Sequence, residues 1–152
     1  GTATRPLPHS QKLRIMASIT DLRRGIATNL ARIPGLRTAS YAPDLINPPI
    51  AIVEPDGTPV TFDIAMNRGL DQFRFTVTVI VQRMDERTGQ NALDAYCMGS
   101  GDYSVKQAIE WDRTLSGHAN DCRVTEISSY GSISVNENQY LAAEFSVVVY
   151  AS

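Results

Sequence analysis

The chain reads as an α+β domain, a mostly antiparallel sheet of about four to five strands packed against two to three helices. Three observations predict it. Phe73, Phe75, Val77, Val79 and Val81 alternate with Arg74, Thr76, Thr78, Ile80 and Gln82, the two-residue period of a half-buried antiparallel strand. The same period returns in Cys122–Tyr130 and again in Tyr140–Tyr150, two strands joined by a polar turn. Ile19, Leu22, Ile26, Leu30 and Ile33 instead recur at steps of three and four, which places them on one stripe of a helix. The resulting order of helix, strands, helices and strands fits a sheet covered by helices on one face.

Each element has a local reason to start and stop. Ser18 followed by Asp21 caps the first helix, and Pro34-Gly35 ends it by removing a donor and permitting positive φ. Arg23, Arg24, Asn29 and Arg32 fall off the apolar stripe and read as a solvated face. Pro43, Pro48 and Pro49 make residues 36 to 49 a connector with room for a short strand at Leu36 to Tyr41. Ile50 to Glu54 is a short strand, Pro55-Asp-Gly57 a turn, Val60 to Met66 a further strand and Asn67-Arg-Gly69 a second turn. Asp85 opens a second helix with Ala92, Leu93, Tyr96 and Cys97 inward, and Gly99-Ser-Gly101 breaks it. A third helix, Ser104 to Trp111, buries Val105, Ala108 and Ile109 and sets Trp111 at the core edge. A polar loop from Asp112 to Asp121 precedes the two terminal strands. In the last strand Leu141, Ala143, Phe145, Val147 and Val149 form a clean core face, whereas Tyr140, Ala142, Glu144, Ser146, Val148 and Tyr150 form a mixed face that calls for a cover of some kind.

Totals bound the function classes. With 152 residues, 43% of them hydrophobic, a single core is expected. Residues 1 to 15 hold Arg5, Lys12 and Arg14 with no acid and two prolines, and read as a flexible arm ahead of one domain spanning 16 to 152. The rest of the chain then has 11 basic against 16 acidic groups, which disfavours a dedicated duplex-DNA reader. Cys97 and Cys122 match no metal or redox spacing and read as free thiols, with a bridge between them as the alternative. No apolar run reaches the roughly 20 residues of a membrane span, so a soluble protein with no signal peptide is expected.

Chemistry is sparse. His9 lies in the arm and His118 in a Gly-Asn-Asp loop, and neither has neighbours that build a triad or a metal site. The loop Gly99-Ser-Gly-Asp-Tyr-Ser104 precedes a helix but departs from phosphate-loop spacing, because Lys106 follows Ser104 and Asp102 would repel an anion. Asp85-Glu86, and Glu110 with Asp112, are too close in sequence to face each other as an acid/base couple on a helix. The expectation is a non-enzyme with no cofactor and no metal.

A likeness emerges at the second and third helices. Leu93-Asp-Ala-Tyr96, Ser104-Val-Lys-Gln-Ala-Ile-Glu110, Asp112-Arg-Thr-Leu115 with Gly117, Arg123-Val124, Tyr130-Gly131 and Tyr140-Leu-Ala-Ala-Glu-Phe145 follow one another in the order seen in tail terminator proteins of long-tailed bacteriophages. The opening helix, Ile19 to Leu30, and Pro48-Pro49 ahead of a strand fit as well. Over residues 16 to 151 the chain resembles that family. The resemblance implies an α/β fold and a ring, a hexamer, that caps the tail tube, ends tube polymerisation and presents a docking surface to the head connector. It implies as partners other copies of the chain, the major tail tube protein and the head-closure protein, with genomic DNA passing through the lumen without sequence-specific binding and no membrane involved. The implied location is the virion, at the head–tail joint, after assembly in the host cytoplasm. An acidic body suits DNA passage, since like charge disfavours phosphate adsorption.

A ring subunit must bury sheet faces or edges against its copies, so Arg74, Thr76, Thr78, Tyr140, Glu144 and Tyr150 are candidate subunit contacts. The turns Asp63 to Asp71, Ser116 to Asp121 and Gly131 to Gln139 are candidates for contact with tube or connector, with Met66, Arg68, Asp71, His118, Tyr130, Asn136 and Glu137 as the residues expected there. A head-closure protein of the same joint is the near alternative. A small enzyme or ligand-binding domain is the alternative from another class.

Overall fold

A computed structural model describes residues 18–39, 43, 45–64, 69–83, 89–135 and 137–152. The arm, Met66, Arg68, Asn136 and the helix start at Asp85 lie outside the described residues. Ser18 Oγ accepts the Asp21 N–H at 2.9 Å and starts helix α1, Ile19–Leu30, at the predicted place. Strand β1, Arg37–Ala39, runs parallel to β2, Ile50–Thr61. Strand β3, Asp71–Arg83, follows, then helix α2, Gly89–Tyr96, and helix α3, Val105–Ile109, which tightens into a 3-10 turn at Glu110–Asp112. Strands β4, Asp121–Val135, and β5, Asn138–Ala151, complete one five-stranded sheet in the order β1-β2-β3-β5-β4. Every pairing except β1 with β2 is antiparallel, so the expected α+β class holds.

The helices cover one face. Leu22, Ile26, Leu30 and Ile33 from the predicted stripe pack with Phe73, Phe75, Val77, Val79, Phe145 and Val147 in the main core. At one end of the opposite face a second, smaller cluster forms around Ile46, Ile50, Ile52, Ile80, Tyr140 and Ala142, with Ala39, Ile133 and Val135 packed against it. The hairpin changes its apolar side accordingly. Near its tip Ile133 and Val135 lean on the second cluster, whereas Ser132 and Ser134 on the other side are exposed.

Several local expectations are corrected. Pro55-Asp-Gly57 does not separate two strands, because β2 continues through it and absorbs residues 56 to 59 as an irregularity between the Pro55–Phe75 and Val60–Phe73 pairs. The strand expected to reach Met66 ends at Thr61. Gly131 to Gln139 is not a broad turn, since register runs to the Val135–Asn138 pair and leaves a two-residue connection. Ala92 faces outward, and Trp111 is 62% exposed with the Arg32 guanidinium 4.8 Å from its ring centroid, so it is not core edge. Cys97 and Cys122 are free thiols.

Asn29 is the largest correction. It is buried, and its Nδ2 donates to the carbonyls of Ile109 at 2.9 Å and Asp112 at 3.0 Å. One turn earlier, a Cβ on Gly25 would lie 2.7 Å from Leu115 Cβ, so only glycine lets the fully buried Leu115 approach α1 this closely. Leu115 and Ser116 themselves have positive φ, and the Asp112 carboxylate holds that turn by accepting the N–H groups of Thr114 and Ser116 and the Thr114 hydroxyl. We expect Asn29→Ala to cost about 1–3 kcal/mol by stranding two carbonyls, measured as a lower urea midpoint at unchanged slope.

Candidate assembly interface

Residue alternation fixes which groups are presented on the sheet face that carries no helix among the described residues. Register sets Arg74 opposite Val148, Thr76 opposite Ser146, Thr78 opposite Glu144 and Gln72 opposite Tyr150, and β4 adds Arg123, Glu126 and Ser129 beyond β5. Register brings Arg74, Thr76, Glu144 and Tyr150 onto one surface, where each is half-buried. Thr78 is mostly buried in the same rows. Tyr140 departs from the expectation: at 6% exposure it belongs to the second cluster and is spent within its own chain.

Arg74 is fixed in place. Its Nη2 donates to Gln72 Oε1 at 2.9 Å and its Nη1 to Thr61 Oγ1 at 3.2 Å, which ties the strand end beyond the irregular stretch of β2 back to β3. A surface of ordered, mixed polar and apolar groups costs less side-chain entropy to cover than a field of mobile lysines.

The loop candidates scatter. Asp71 begins β3 and its Oδ1 accepts the Asp63 N–H at 3.0 Å, so it braces the 63–71 connection. His118 is exposed in the 112–120 loop, and Glu137 is exposed with φ of 69° at the hairpin tip. Tyr130 is not in a turn but in β4, where its hydroxyl bonds the Asp94 carboxylate. Residues 62–64 add Phe62, 71% exposed, a group that alternation did not single out because the chain leaves its strand there.

Sequence reasoning also missed the outer edge of the sheet. Lys106 and Glu110 pair at 2.6 Å, and both reach β4: Glu110 Oε2 accepts the Val124 N–H at 2.9 Å, and Lys106 Nζ donates to the Val124 carbonyl at 3.4 Å. A side-chain pair thus stands where a sixth strand would bond. Beside it a groove of about 400 Å³ runs between β4 and the α2–α3 connection, with Met98, Ile127, Cys97 and Phe145 in its walls. A depression of about 180 Å³ lies between Arg32, Asp102, Gln107 and Trp111. Among the described residues no three His, Cys, Asp or Glu side chains are grouped to hold a metal, and no helix is long and apolar enough to cross a membrane.

Electrostatics mark no poised nucleophile among the cysteines. Burial, then Asp94, pushes the Cys97 thiol up to about 11, and burial, then Glu110, pushes Cys122 up to about 12. The Asp112 carboxyl sits below its ordinary value, chiefly through the Thr114 hydroxyl and then the Ser116 and Thr114 amides. No protein-family model matches the chain, and no curated protein matches it.

Two outcomes follow from these shifts. At pH 8 native thiol labelling should run on the order of 100-fold slower than in urea, because so little thiolate is present; equal rates would contradict the burial. For Asp112 the folded value is depressed, so its stabilisation is present above the unfolded value of 3.8 and is lost as pH falls through the folded value. Asp112→Asn should therefore flatten the acid limb of a stability–pH curve.

Proposed function

We propose that the chain is a structural ring subunit, the tail terminator of a long-tailed bacteriophage, which ends tail-tube growth and offers the head connector its docking surface. The observation that carries this reading is the sheet face over which no helix packs among the described residues. Arg74, Thr76, Glu144, Val148 and Tyr150 form a half-buried, partly ordered surface on a domain whose main core is already complete on the other side. The order of motifs from Leu93 to Phe145 adds the family to that physical argument.

In this reading the chain works by contact and shape, and it is not an enzyme. Copies of it meet through the sheet face, and the exposed loops around Phe62, His118 and Glu137 reach the tube protein and the connector. The central passage lets DNA through because the lumen is acidic or neutral; a lumen lined with arginines would count against it.

Glu144→Arg together with Thr76→Arg should abolish the ring mass in sedimentation or native mass spectrometry while the circular-dichroism melt stays close to the parent, since both side chains are only half-buried. Normal assembly of that variant would return the face to solvent. Particles lacking the chain should carry tails of uncontrolled length, whereas normal tails beside unjoined heads would mark a head-closure protein instead.

A further inference from the structure

Strand β4 lies at the edge of the sheet, and its two halves are treated differently. In the first half the Lys106–Glu110 pair occupies the backbone of Val124, irregularities at Thr125 and Ser128 interrupt the repeat, and Arg123 and Glu126 supply charge. These are the devices by which proteins guard an edge against strand addition. In the second half, Ser129 to Val135, there is no charged residue, no proline and no register shift. A guard on one half only is an asymmetry that asks what the other half meets.

Backbone phase tells which groups are offered. The Val124 N–H points away from β5, since it bonds Glu110, and antiparallel pairs alternate in that respect. Counting along β5 from Val147, the partner of Val124, to Leu141 and Gln139 keeps the phase, so Ser132 and Ser134 turn their N–H and C=O outward as well. Both residues are exposed, and among the described residues nothing bonds their backbone on that side. Next to them Ile133 and Val135 extend the second apolar cluster toward the edge.

We infer that Gly131–Val135 pairs antiparallel with the same segment of a second copy, about a two-fold axis at Ile133, so that two five-stranded sheets become one continuous sheet. That register sets Ser132 of one copy against Ser134 of the other, which uses the outward amides and carbonyls of both. Ile133 then meets its own counterpart and joins the second clusters of the two copies across the seam. The occupant is a second copy because the segment is its own complement: hydrogen-bond phase matches under the two-fold, and no like charges oppose each other. Such an isologous contact does not itself close a ring, so it stands apart from the ring reading.

The test uses the full chain. In a non-hydrogen-bonded antiparallel pair the facing Cα atoms lie about 4.5 Å apart, within reach of a disulfide. Ile133→Cys should therefore give a cross-linked dimer under mild oxidation, while the parent and Ser100→Cys stay uncross-linked. Ser134→Pro removes an outward N–H that has no intrachain role and should weaken association about ten-fold in sedimentation equilibrium, with an unchanged melt. A chain that stays monomeric at high concentration, with Ile133→Cys cross-linking no more than Ser100→Cys, overturns the inference. A ring mass without the Ile133→Cys cross-link also overturns it and leaves the ring reading in place; a cross-linked species that never exceeds a dimer supports the contact and counts against the ring.

Discussion

The bond from the Asn29 amide to the Ile109 and Asp112 carbonyls is the constraint on which the helix layer depends. Helix α3 has barely more than one turn, too short to persist by its own hydrogen bonds. It stands because Ser104 caps its start, Asn29 takes up the carbonyls at its end, and Leu115 seats against Gly25 just beyond. Through Glu110, on the 3-10 turn that follows, the same short segment reaches the Val124 amide. A chain of contacts therefore runs from α1 to the outer strand, and its two polar links, Asn29 to Ile109 and Glu110 to Val124, join groups 80 and 14 residues apart.

That distance explains what sequence could and could not reveal. The two-residue period of β3 and β5 and the stripe from Ile19 to Ile33 are local patterns enforced by burial, and the structure places them as expected. Asn29 looked like surface because a polar side chain beside Arg23 and Arg24 carries no local sign of a partner 80 residues away. Pro55-Asp-Gly57 has turn chemistry, yet cross-strand pairing on both sides kept β2 in one piece and let the extra residues bow out. Trp111 follows the inward Ile109 by two positions, and the tightening into a 3-10 turn rotates it to solvent, where Arg32 stacks on it.

The candidate face was legible in part for the same reason. Alternation puts Arg74 with Thr76, and Glu144 with Tyr150, on the side of their own strands away from the main core, and the β3–β5 register then joins the two rows into one surface. Alternation cannot say whether a loop returns to cover part of it, and Ile46 does so at the Tyr140 end. That face thus has a closed apolar end, where Ile46 from the connector between β1 and β2 joins Ile50, Ile52, Ile80 and Tyr140 of the strands, and a mixed remainder around Arg74 and Glu144.

The guard at Val124 also bears on the order of events in folding. Strands β4 and β5 are neighbours in sequence joined by two residues, so their pairing closes a short loop and can form early. The Lys106–Glu110 pair that screens the outer strand exists only after α3 has docked against Asn29, a contact that closes a loop of 80 residues. Until then the first half of β4 is as open a template as the second. The docking of a five-residue helix thus sets how long the first half of β4 stays exposed to pairing with another chain.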